Sequence, residues 1–132
     1  MFVRALGLIA AVNIAVRLLP FRPLAAWLVH GRAESRGRCE AARVAEIVAR
    51  ASAWCWPAPS CLTRALVLCR LLVRRGVGAE LVLGVHTRNG RFAAHAWVEH
   101  DGRTIHHDAA ATDRFTTLCR LDRRGVVTTG SP

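Results

Sequence analysis

The sequence predicts an α+β domain, on three observations. Apolar residues recur at helical spacing through about the first 76 residues, and they alternate at period two from Leu81 onward. Two tight-turn dipeptides, Asn89-Gly90 and Asp101-Gly102, punctuate the alternating part. Helices followed by an antiparallel meander make an α+β order rather than a βαβ one. The 132 residues suffice for one compact domain with a real core. The expected organisation is a helical part over about 1–76, a β-meander over about 80–108 and a loosely ordered C-terminal tail over about 120–132.

The elements follow in order. Residues 3–19 read as a helix that stops before Pro20, and Pro23 suits the first turn of a short helix reaching about His30. The polar, glycine-bounded segment Gly31–Gly37 reads as a loop. From Cys39 to Trp54 the stripe Val44, Ile47, Val48, Ala51 marks an amphipathic helix, which Pro57 and Pro59 must end. Ser60 is a good N-cap for a next helix opening at Cys61, whose apolar face runs through Leu62, Ala65, Leu66, Cys69, Leu72 and Val73. Gly76 is its natural stop. Leu81–His86 and Phe92–Glu99 read as strands joined at Asn89-Gly90, and Thr104–Asp108 as a third strand after Asp101-Gly102.

The N-terminal apolar run Ala5–Val16 has twelve residues, short of the roughly 20 that span a bilayer. Bulky residues follow it in place of a small-residue cleavage site, so it reads as a buried or interfacial helix, with membrane contact as the lesser alternative. The 19 basic residues are all arginine and exceed the 9 acidic ones by ten, a balance that suits an acidic partner. Five cysteines, Cys39, Cys55, Cys61, Cys69 and Cys119, form no paired spacing. They suggest free thiols in a reducing, cytoplasmic compartment, one reactive and four serving as small hydrophobes.

Hairpin register brings the chemistry together. With Asp101-Gly102 as a two-residue loop, His100 pairs with Arg103 and His95 falls opposite Asp108. Opposed Cβ atoms lie roughly 4.5–5.5 Å apart, near enough for a carboxylate to orient an imidazole. The same rule at Asn89-Gly90 sets Gly84 opposite His95 on its other side, leaving space beside the ring. Cys61, in the first turn of a helix, sits where free N–H groups and the positive dipole end stabilise a thiolate. Cys61 is therefore the candidate nucleophile, His95 the base and Asp108 the orienting carboxylate. The Cys61 N–H is a first oxyanion donor, and the 54–60 loop is the place to look for a second. Trp97 shares the His95 face and would wall the site. Trp54 and Trp56 lie beside it in the sequence. His86 and His106 fall on the same face, but His86, His95, His106 and Asp108 match no familiar zinc spacing, and no cofactor or metal is expected.

Three blocks carry a resemblance: Ser60-Cys61-Leu62-Thr63-Arg64-Ala65-Leu66, then Leu81-Val82-Leu83-Gly84-Val85, then Ala94-His95-Ala96-Trp97-Val98-Glu99 with Asp101-Gly102. Over roughly residues 40–120 they resemble the transglutaminase-like, papain-like core of lasso peptide B proteins. The resemblance implies a cysteine peptidase that removes the leader peptide from a ribosomally made precursor, freeing the amine that a separate lasso cyclase closes into a macrolactam. It implies Cys61, His95 and Asp108 as the triad, with Asp113, beyond the pairing strand, as the alternative third member. Larger members carry a leader-recognition domain for which this chain has no room, so a separate leader-binding protein is the expected partner. Two rivals stand beside this reading. A transglutaminase or amidase would use the same three residues, and a basic nucleic-acid-binding module would use the charge and the tryptophans. No arginine stripe interleaves with aromatics, which argues against nucleic acid.

Overall fold

A computed structural model describes residues 1–31, 38–105, 112–125 and 127–129. Helix α1 (Phe2–Leu18) buries Ala5, Ile9 and Val12, a one-face stripe at helical spacing. It ends at Leu19, which precedes Pro20 and is extended as that position requires. Helix α2 (Phe21–Val29) takes Pro23 in its first turn, where a missing N–H costs nothing. Helix α3 (Arg38–Ala53) buries Ala41, Val44, Ala45, Val48 and Ala51. Among the described residues no helix is long and apolar enough to cross a membrane.

Helix α4 (Cys61–Arg74) is the central element, packed on α1, α2, α3 and the sheet. Ser60 Oγ accepts the Thr63 N–H at 3.2 Å, so Ser60 is the N-cap and the helix opens at Cys61. At the other end Gly76 takes φ 75°. The Gly76 N–H then reaches the Val73 carbonyl at 3.0 Å and the Val77 N–H the Leu72 carbonyl at 2.9 Å, a Schellman closure. Both ends of this helix are thus tied by its own sequence.

The strands are β1 (Glu80–Arg88), β2 (Arg91–His100), β3 (Arg103–Thr104), β4 (Thr116–Leu121) and β5 (Val127–Thr129). They form one antiparallel sheet in the order β3-β2-β1-β4-β5. Asn89 and Gly90 have φ of 53° and 73°, Asp101 and Gly102 of 50° and 75°, so both hairpins are the two-residue turns the dipeptides predict. The register follows: Gly84 opposes His95 and His100 opposes Arg103. Ala96 and Val98 of β2 join Leu81 and Leu121 in the core shared with the helices. His95, Trp97 and Glu99 alternate with them onto the other face.

The sheet departs from expectation at its C-terminal end. The C-terminal segment is not a loose tail: β4 pairs along the free edge of β1 and β5 pairs with β4. A β1 with Leu81, Val82 and Gly84 buried needs partners for both rows of its backbone groups there, and β4 supplies the second. The third strand is described as Arg103–Thr104, with the Ile105 N–H reaching the Val98 carbonyl at 2.9 Å. His106, His107 and Asp108 lie outside the described residues, as does most of the Gly31–Gly37 loop.

Candidate active site

Cys61 is the first residue of α4 and is half-buried against the core. Its side chain lines a small cleft of about 50 Å³, formed by Arg64, Ala65 and Leu68 of the same helix, by α3, and by Trp97 and Val98 of β2. The helix start, the apolar walls and the sheet meet at this one sulfur.

His95 lies in the middle of β2, half-buried. Its ring stacks on Trp97 at 6.0 Å between centroids and meets Phe115 at 5.3 Å. Burial among these rings, and secondly the Arg64 guanidinium, hold His95 below the usual histidine range. Arg64 stands one turn beyond Cys61 on the same helix. At neutral pH the imidazole is therefore a neutral base.

The space expected beside His95 at Gly84 is filled. A Cβ at Gly84 would stand 2.6 Å from two ring carbons of Trp97 and 2.9 Å from Phe115 Cβ. The glycine admits the aromatic rings that flank the imidazole rather than leaving the imidazole a gap. Trp97 is in turn fixed from behind: its Nε1–H donates to Glu99 Oε1 at 3.0 Å. Arg120 Nη1 donates to the other Glu99 oxygen and stands 3.6 Å from Glu80.

Phe115, Glu99 and Arg120 are the residues the sequence reading missed. Glu99 was accessible to it, since 95, 97 and 99 share a face at period two. Phe115 and Arg120 depended on the unforeseen pairing of β4. Of the other candidates, Asp108 and His106 lie outside the described residues, and Asp113 is exposed in the turn after Thr112. His86 contacts Phe115 at 5.7 Å from the far side of the cluster. Among the described residues no three His, Cys, Asp or Glu side chains gather as metal ligands would.

The remaining thiols divide by burial. Cys69 is fully buried, and burial first and Glu80 second push its thiol far up, so it is inert. Cys55 packs on the core and Cys119 is half-buried on β4. Cys39 is exposed, which corrects its expected packing role: it stands near the start of α3, outside that helix's apolar stripe. Trp54 and Trp56 are 79% and 94% exposed, so of the tryptophans expected beside the site only Trp97 walls the described cleft.

A cysteine opening the central helix of an α+β domain, with a histidine on the adjoining antiparallel sheet, defines a thiol acyl-transfer framework. The family model of the transglutaminase-like superfamily matches residues 5–120, and the chain belongs to that superfamily. The fold is typically that of a cysteine peptidase or acyltransferase. No curated protein and no solved structure matches the chain.

Proposed function

We propose that the protein is a cysteine peptidase that cuts the leader peptide from a lasso precursor, with Cys61, His95 and Asp108 as its triad. The observation that supports this most is the placement of Cys61 at a capped helix start, in a cleft walled by the tryptophan stacked on His95. Cys61 Sγ attacks the scissile carbonyl while neutral His95 takes the thiol proton. The C–N bond then breaks, His95 returns that proton to the leaving amine, and the acyl group remains on sulfur as a thioester. Water hydrolyses the thioester, with His95 again the base. Asp108, the carboxylate that the Asp101-Gly102 turn in the sequence leads one to expect opposite His95, orients His95 and stabilises its cationic form. No cofactor takes part.

The proposal includes a separate leader-binding protein that presents the precursor, a downstream lasso cyclase that uses the freed amine, and a cytoplasmic setting. A transglutaminase or amidase would form the same thioester and differ in what resolves it.

The test is incubation of the precursor peptide encoded nearest this gene, with and without the neighbouring leader-binding protein, read by mass spectrometry. One cut at the leader–core junction, lost in Cys61→Ala and reduced about 10²-fold or more in Asp108→Asn, is expected. Equal cleavage by wild type and Cys61→Ala, or none by reduced wild type with its partner present, overturns the proposal. A thioester resolved by an added amine instead of water would make the enzyme a transglutaminase.

A further inference from the structure

The described arginines do not all have the same surroundings. Arg50 pairs with Glu46, Arg75 with Glu40, and Arg120 with Glu80 and Glu99. Arg70 lies over the Trp27 ring at 4.8 Å. Arg64 pairs with no carboxylate among the described residues, yet it lines the cleft that holds Cys61. The other described walls are Cys61 and apolar side chains, including Val48, Leu68, Trp97 and Val98, so Arg64 is the one charge they present.

Arg64 is itself exposed, so solvent moderates its attraction for an anion to that of a surface pair, but it stands one turn from Cys61, where an anionic group presented to the sulfur meets it. After burial, the Arg64 charge is the second influence that disfavours the protonated form of His95. The start of α4 adds positive potential from the same side. Planar, two-pronged donation from Arg fits a carboxylate better than any neutral polar group.

We infer that Arg64 is the specificity residue of the cleft and receives a carboxylate, an Asp or Glu side chain that the substrate peptide carries within a residue or so of the bond presented to Cys61. This rests on the reading of Cys61 as the nucleophile. It assigns the substrate a charge at a definite place, beside the reacting sulfur, where the arginine-rich surface alone gives only a general attraction for acidic partners.

The test compares two alkylating probes that differ in charge, iodoacetate and iodoacetamide, with the rate at Cys61 read by peptide mass spectrometry in the intact protein. The neutral reagent reports the nucleophile and the ratio of the two reports Arg64, so the two readings fail separately. The iodoacetate-to-iodoacetamide ratio at Cys61 is expected to fall about three- to fivefold in Arg64→Gln and to stay near wild type in Arg64→Lys. In wild type it should also shrink at 1 M salt, where screening acts within about 3 Å. The ratio at exposed Cys39 serves as the reference. A Cys61 ratio unchanged in Arg64→Gln overturns the inference, and so does a Cys61 that reacts with neither reagent.

Discussion

At the scale of single residues, the site depends on how His95 is held. The imidazole is flanked by Trp97 and Phe115, and Gly84 makes that possible by contributing no side chain of its own. Gly84→Ala would drive a methyl into the Trp97 ring and is expected to destabilise by about 1–3 kcal/mol, measured by urea unfolding. The same environment sets a pH dependence. His95 in the folded protein titrates below the usual 6.5, so between those two values the unfolded chain binds more protons and stability rises with pH. Stability is lost as pH falls below 6.5, and His95→Asn should flatten that part of the profile in denaturant melts at pH 5 to 7. Unchanged slope in the variant would place the titration elsewhere. Cys61, His95 and their shared neighbour Trp97 were legible in the sequence because cap position and period-two spacing are local properties. Phe115 was not, because it reaches His95 through the pairing of β4 with β1, across more than thirty residues of chain.

At the scale of elements, α4 does the positioning. Its start is fixed by Ser60 and its end by the Gly76 closure, so the Cys61 side chain has a defined height against the sheet. Ser60→Ala is expected to cost about 1 kcal/mol in equilibrium unfolding and to slow reaction at Cys61, since the first turn frays when its N–H groups lose a partner. A loss of stability with Cys61 reactivity intact would separate the cap from the site. Both hairpins were readable from four residues, Asn89-Gly90 and Asp101-Gly102, whose positive φ selects the turn and thereby the register. The C-terminal strands were not readable in this way. No turn dipeptide ties β4 to β1, and Leu118 faces out while Leu121 faces in, so the short segment carries a weak alternation. Long-range pairing of that kind is decided by the unmet edge of β1, which local pattern does not display.

At the scale of the whole molecule, four helices and a five-stranded sheet among the described residues enclose a core that runs from Ala5 of α1 to Leu121 of β4. The outcome for the thiols follows from this layering. Cys69 lies inside it, Cys61 at the seam between helix and sheet, and Cys39 on the outside. The helical half and the order of elements were legible because each helix carries its own stripe and its own stop. Of the described arginines, Arg50, Arg75 and Arg120 stand in ion pairs, and a chain with ten excess positive charges has a field that attracts anionic molecules in general.

The most direct measurement is the rate of iodoacetamide reaction at Cys61 at pH 7, in wild type and His95→Asn, with Cys39 in the same sample as an internal reference. If Cys61 and His95 form one reactive centre, Cys61 reacts faster than Cys39, and His95→Asn lowers its rate by about tenfold or more without changing Cys39. A Cys61 rate that His95→Asn leaves unchanged would contradict the account, and the helix start alone would then explain whatever reactivity the thiol has.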